Sequence, residues 1–310
     1  MPSSRLFRSA AALFLLLIPT SASPLALAER AISGDVFTNL QLFEQFSAAA
    51  YCPVNNMDKA GGTKLTCSVG NCPLVQDSDV VSVYEFQNSL KTDVTGYVAI
   101  DNTRSLTVLA FRGSASVRNF IADANFPAEP TDICPSCTAH NGFWDSWVEA
   151  RPGVLAALKT AAASHPNNRV IVTGHSLGGA IADLAAAEIR KSGVTADLYT
   201  YGAPRIAGKA LSDFITNQNK GGNYRVTHKN DPVPRLPPLV LGFVHISPEY
   251  YISSPNNVVP TANDITQYSG SINLLGNSGN NPLKTDLSAH GWYFGPVGAC
   301  DDDVGFEFKQ

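Results

Sequence analysis

The sequence predicts an α/β protein: one domain with a central, mostly parallel sheet and helices on its faces. Three observations carry this. Ser105-Leu106-Thr107-Val108-Leu109-Ala110-Phe111 is too continuously apolar for a strand with one wet face and fits a strand buried on both sides. Runs of this kind alternate with helical patterns, the order that builds a sheet from strand–helix–strand units. Val170-Ile171-Val172 leads directly into Gly174-His175-Ser176-Leu177-Gly178, a strand entering a sharp turn that opens a helix.

The elements follow in order. Phe37, Leu40, Phe43, Phe46 and Ala50 recur at helical spacing, which predicts a helix over Asp35 to Tyr51. Residues 52–79 hold glycines and three cysteines and read as loop. Val80 to Glu85, Gly96 to Asp101 and residues 105–111 read as strands, and Trp144 to Ala163 as a helix. After the strand Val170 to Thr173, the alanine-rich stretch Ala180 to Lys191 is a helix able to pack close to a sheet, closed near Gly193. Asp197 to Tyr201 and Tyr224 to His228 are two more strands. From Leu236 onward proline, asparagine and glycine are frequent, which predicts long surface loops.

The N-terminus has the polarity of an export signal. Arg5 and Arg8 precede the apolar core Ala10 to Ile18, and small residues follow at Ser21-Ala22-Ser23 and Ala26-Leu27-Ala28. The expectation is a signal peptide over residues 1–23, with cleavage as late as 28, a short pro-segment over 24–30, and one domain over 31–310. The apolar core is too short for a lasting membrane anchor, so a soluble, secreted protein is expected. The whole chain carries 22 basic and 26 acidic residues. Removing residues 1–30 takes away Arg5, Arg8, Arg30 and Glu29, leaving 19 and 25, or about −6. A mildly acidic surface without basic clusters is a poor partner for nucleic acid. The sequence contains no Asn-x-Ser/Thr site for N-glycosylation.

Six cysteines in an exported chain imply three disulfides, and spacing alone allows fifteen pairings. Cys67 with Cys72 and Cys134 with Cys137 are near enough for local clips, which leaves Cys52 with Cys300. A redox or zinc role for Cys134-Pro-Ser-Cys137 lacks a second such pair or a nearby His-x-x-x-His. Asp301-Asp302-Asp303 reads as a solvated tail rather than a calcium site, because three consecutive carboxylates point in different directions.

The serine turn carries the chemistry. Its flanking glycines are required because side chains there would strike the neighbouring strand and helix. The turn lifts the Ser176 hydroxyl above the sheet and sets the Leu177 N–H at a helix N-terminus, where it can stabilise an oxyanion. A serine hydroxyl needs an imidazole to take its proton, and the imidazole needs an acid to fix its tautomer. Asp231 is the strongest acid candidate, since Asn230-Asp231-Pro232-Val233-Pro234 follows a strand at once. An Asx turn would explain the same residues. Of the later histidines, His228 lies within a strand and reads as structural. His290 and His245 both remain, with His290 favoured by the aromatic anchor Trp292-Tyr293-Phe294. Ser114, after Phe111-Arg112-Gly113, can offer an N–H and a hydroxyl as a second oxyanion donor.

With these residues in view the chain resembles the filamentous-fungal class 3 triacylglycerol lipases, typified by the Thermomyces and Rhizomucor enzymes. The matching stretches are Phe46 to Cys52, Phe111 to Ser114, Thr173 to Ala180, Tyr201-Gly202-Ala203-Pro204-Arg205, Asn230 to Pro238, Ser247-Pro248-Glu249-Tyr250, and Ala289-His290 with Trp292-Tyr293-Phe294. They run in family order through nearly all of the expected mature chain. The resemblance implies an α/β-hydrolase fold, Ser176 as nucleophile, Asp231 as acid, His290 as base, and Ser114 and Leu177 as oxyanion donors. It also implies the disulfides Cys52–Cys300, Cys67–Cys72 and Cys134–Cys137, and a non-catalytic His245. No cofactor or metal is implied, because the oxyanion hole supplies the electrostatic stabilisation.

Residues 115–126 align with the family's lid. Val117, Phe120, Ile121 and Ala124 fall at i, i+3, i+4 and i+7, the pattern of a short amphipathic helix. An apolar flap beside the oxyanion serine fits a lipid ester at an oil–water interface as the partner, met by a monomer. Phe120 and Arg118 stand where the best-known member has tryptophan and an acidic residue. Feruloyl esterases share the scaffold but have a more polar flap; phospholipase and galactolipase activity are further readings. A retired scaffold that only binds lipid or carbohydrate is the non-enzymatic one, and the competent residue at every catalytic position speaks against it.

Overall fold

A computed structural model describes residues 30–57, 61–87, 89–114 and 126–300. The expected leader, the lid residues Val117, Phe120, Ile121 and Ala124, and Asp301-Asp302-Asp303 lie outside the described residues.

The strands are β1 (Arg30–Ala31), β2 (Val80–Phe86), β3 (Gly96–Asp101), β4 (Leu106–Phe111), β5 (Ala128–Pro130), β6 (Thr138–His140), β7 (Arg169–His175), β8 (Ala196–Tyr201), β9 (Asn223–His228), β10 (Glu249–Ile252) and β11 (Ile265–Tyr268). Among the described residues nine of them form one sheet in the order β1-β11-β10-β9-β8-β7-β4-β3-β2. The contiguous strands β4, β7, β8, β9 and β10 pair in parallel. Pairing is antiparallel on both flanks, through β2, β3 and β4 on one side and β10, β11 and β1 on the other. The sheet is therefore mixed, with a parallel centre. The short strands β5 and β6 form a separate antiparallel ribbon.

The helices are α1 (Gly34–Ala49), α2 (Pro73–Gln76), α3 (Asn141–Ser164), α4 (Leu177–Lys191), α5 (Lys209–Thr216) and α6 (Leu287–His290). They lie on both faces of the sheet, and alternate residues of the central strands feed two cores. Val108, Ala110, Ile171, Tyr199 and Tyr201 pack toward α1. Leu109, Phe111, Val172 and Leu198 pack toward α3 and α4. This two-sided burial is why the apolar runs show no alternation in the sequence. Ser33 caps α1 by accepting from the Val36 N–H at 3.3 Å.

The loop reading from Leu236 onward needs correction. This stretch holds β10 and β11 besides turns. Glu249-Tyr250-Tyr251-Ile252 is buried at every position, so it shows no alternation, and its glutamate masks it as a strand. The α5 helix was likewise unread. All three disulfides are present: Cys52–Cys300, Cys67–Cys72 and Cys134–Cys137. Among the described residues no helix is long and apolar enough to cross a membrane.

Candidate active site

The parallel strands end together at one edge, where a sheet of this kind places its chemistry. Ser176 follows β7 with φ 57° and ψ −128°, a conformation non-glycine residues rarely adopt. The surrounding glycines show what holds it. A Cβ on Gly174 would come within 2.3 Å of the Gly178 carbonyl oxygen, and one on Gly178 within 2.3 Å of the Phe111 carbonyl oxygen. The first contact is with the opening of α4 and the second with the end of β4, the two neighbours expected to collide. The Ser176 N–H donates to the Tyr201 carbonyl at 2.8 Å, tying the turn to β8.

Asp231 sits in the turn after β9 and is fully buried. Its Oδ2 lies 2.9 Å from His290 Nδ1 and its Oδ1 3.1 Å from the same atom. Tyr293 donates its phenol to Oδ2 at 2.7 Å, and the Val233 N–H donates to Oδ1 at 2.9 Å. The carboxylate is thus held from three sides. The Val233 contact is the Asx turn weighed against a catalytic role, and Asp231 makes it while still reaching His290. Burial, then the adjacent carboxylate, push the Tyr293 phenol well above its usual range, so it stays a donor.

The His290 ring reaches the serine turn. It packs 4.6 Å, centroid to centroid, from the ring of His175. A Cβ on Gly202, just past β8, would lie 3.0 Å from its Nδ1 and Cε1. Ser114 follows Gly113, whose Cβ would stand 3.0 Å from that of Ser176. Leu177 is the first residue of α4.

The rival histidine is elsewhere. His245 places Nε2 2.7 Å from the Pro234 carbonyl oxygen, and burial, then Arg225 and Arg205, hold it far below the usual histidine range. His228 lies with Nδ1 3.1 Å from the Ala289 carbonyl oxygen and Nε2 2.9 Å from that of Ser254.

A buried polar group supports the loop that carries the acid. The Arg205 guanidinium donates to the carbonyls of Arg235 and Pro237 and to the Ser278 hydroxyl. Asn277 donates to the carbonyls of His228 and Asp231 at 2.8 and 2.9 Å. Glu249 accepts from Thr227, Asn273 and Asn277 and lies 3.4 Å from the Arg225 guanidinium. Arg205 Nε and Asn277 Oδ1 make no hydrogen bond among the described residues, but the bonds that are made hold the loop, because breaking any of them leaves a further buried polar group unpaired.

Residues 108–241 match the family described as lipase (class 3), and residues 3–81 match the lipase 3 N-terminal region. The secreted mono- and diacylglycerol lipase A of Penicillium cyclopium is 45% identical over 291 residues, covering 93% of this chain and 94% of its own.

The chain is a class 3 lipase.

The enzyme is therefore a carboxylic-ester hydrolase, and like its secreted relatives it is extracellular. The crystal structure of the mono- and diacylglycerol lipase from Aspergillus oryzae is 45% identical and superposes with a TM-score of 0.81, covering 84% of this chain and 97% of that one. The Rhizomucor miehei triacylglyceride lipase is 26% identical with a TM-score of 0.73, covering 88% and 100%. The residue-level reading missed Tyr293, Asn277 and Arg205. Tyr293 belongs to the aromatic anchor and Arg205 to a matched motif, but their contacts reach far along the chain and leave no local signal.

Proposed function

We propose that this lipase cleaves the ester bonds of mono- and diacylglycerols at a lipid–water interface, with Ser176, His290 and Asp231 as its triad. The observation that carries the triad is the buried Asp231–His290 pair, whose imidazole stands beside the strained turn of Ser176. In this reading His290 takes the Ser176 proton as the hydroxyl attacks the ester carbonyl. Asp231 holds Nδ1–H, so Nε2 is the base. The N–H groups of Leu177 and Ser114 receive the developing oxyanion. The glycerol alcohol leaves with the proton from His290. Water, activated by the same imidazole, then releases the fatty acid from Ser176.

The preference for partial glycerides is supported by the two relatives at 45% identity, which are mono- and diacylglycerol lipases. Triacylglycerol is the second reading, favoured by the apolar pattern of Val117, Phe120, Ile121 and Ala124 and by the more distant Rhizomucor likeness. Emulsified monoolein, diolein, triolein, phosphatidylcholine, galactolipid and methyl ferulate at one pH decide between them. Fast release from monoolein and diolein, rising above their solubility limit, is the expected result; triolein as the best substrate overturns the preference. Asp231→Asn should cut turnover by about 10⁴-fold, as when a serine protease's histidine is left in the wrong tautomer. An Asp231→Asn enzyme as fast as wild type removes Asp231 from the mechanism.

A further inference from the structure

Two residues in the matched motifs have no part in the triad: Tyr51, just past the end of α1, and His175, the residue before Ser176. Both are buried, at 1% and 0% exposure. The Tyr51 phenol oxygen lies 2.7 Å from His175 Nδ1, and His175 Nε2 lies 2.7 Å from the carbonyl oxygen of His290. A carbonyl only accepts, so Nε2 carries the proton. Burial, then the neighbouring His290, hold the His175 imidazole well below its usual range, so it is neutral and Nδ1 is bare. Tyr51 therefore donates to Nδ1, and the run of bonds has one direction: phenol to imidazole to carbonyl.

The His290 carbonyl receives this N–H at the end of a helix. His290 ends α6, a helix of four residues, and the last carbonyls of a helix have no partner within it. The Cys52–Cys300 bridge anchors the residue after Tyr51 to the segment that follows His290. The phenol oxygen also fills the space beside Gly113, where a Cβ would come 2.0 Å from it. Tyr51 thus touches the strand end that leads to Ser114 and, through His175, the backbone of His290.

We propose that Tyr51 and His175 are positioning residues for ester hydrolysis, fixing the main chain of His290 so that its imidazole meets Ser176 at the correct angle. This rests on the triad reading above. Asp231 restrains one edge of the base, and the relay restrains the backbone from which the ring projects. Imidazole suits the middle place because it accepts at one edge and donates at the other on a rigid ring.

The test compares wild type with Tyr51→Phe, His175→Gln and His175→Leu. Turnover of p-nitrophenyl butyrate and phosphonylation of Ser176 by a fluorophosphonate are measured well below each melting midpoint and normalised to folded enzyme. Tyr51→Phe should lower kcat about tenfold and leave KM within about twofold, with phosphonylation slowed by the same factor. His175→Leu should lose about a hundredfold. His175→Gln should recover much of that, because its amide N–H can still reach the His290 carbonyl. Rates within twofold of wild type in Tyr51→Phe overturn the proposal, as does a His175→Gln enzyme no faster than His175→Leu. If His175→Leu fails to fold, Tyr51→Phe, which loses a single oxygen, decides alone. Wild type that stays unlabelled at Ser176 defeats the triad reading; labelled wild type with unaffected variants defeats only the relay.

Discussion

Glu44 shows how one buried carboxyl contributes to the pH dependence of stability. It lies on α1 at 1% exposure, and its Oε1 has no hydrogen-bond partner among the described residues. Burial pushes its carboxyl from 4.5 up to about 8. The folded chain keeps this proton until about pH 8, whereas the unfolded chain releases it near 4.5. Between those values the native state binds more protons, so its stability falls as pH rises, by about 1.4 kcal/mol per unit at most. Glu44→Gln mimics the protonated form and removes this slope. Denaturant midpoints of variant and wild type should agree near pH 4.5 and diverge toward pH 8, with the variant more stable; parallel curves count against the assignment. The sequence hid this residue. Glu44 follows Leu40 by one helical turn and so shares the buried stripe, but a glutamate reads as solvent-facing. Ser176 and Asp231 stood out by motif and chain order, while His245 and His290 both fitted that order and the family resemblance singled out His290. The neighbours that hold them did not stand out: Tyr51 meets His175 across 124 positions, and no local pattern announces that contact.

The turn between β7 and α4 is the element on which the site depends. Gly178 stands where a methyl group would meet the carbonyl oxygens of Phe111 and Arg112 at 2.3 and 2.7 Å. Both belong to backbone, so relief requires moving the end of β4 together with Gly113 and Ser114. Gly178→Ala should therefore cost about 1–3 kcal/mol of stability, as overpacking does, and also shift Ser114, proposed above as an oxyanion donor. Thermal melting together with hydrolysis of a soluble ester checks this; an unchanged rate and midpoint would mean that β4 yields freely. Strands β4 and β7 and the helix after the serine could be read from composition because continuous apolar runs and alanines mark them. Strands β10 and β11 could not. Each is four residues long, set among prolines and asparagines, and defined by partners far away in the chain. Strand β10 pairs with β9, Glu249 opposite Arg225 and Ile252 opposite His228, three residues before Asp231.

Across the whole molecule the parallel centre was foreseeable, but the order of strands was not, because it is set by which faces pack and not by any local signal. The Cys52–Cys300 bridge spans 248 positions and closes nearly the entire fold into a ring. In the chain-entropy account a loop that long limits the unfolded ensemble by about 5 kcal/mol. Replacing both cysteines with serine should lower the melting midpoint by roughly ten degrees or more, while isolated reduction of Cys67–Cys72, which closes only a short loop, should matter much less. Equal effects from the two would show that strain, not loop length, governs. The same ring decides what a mechanical pull on the two ends of the chain would feel. Tension would load β1 and α1, which precede Cys52, and then pass through the sulfur bridge, so that roughly 840 Å of contour, at about 3.4 Å per residue, stays out of reach of the load until a reductant opens it.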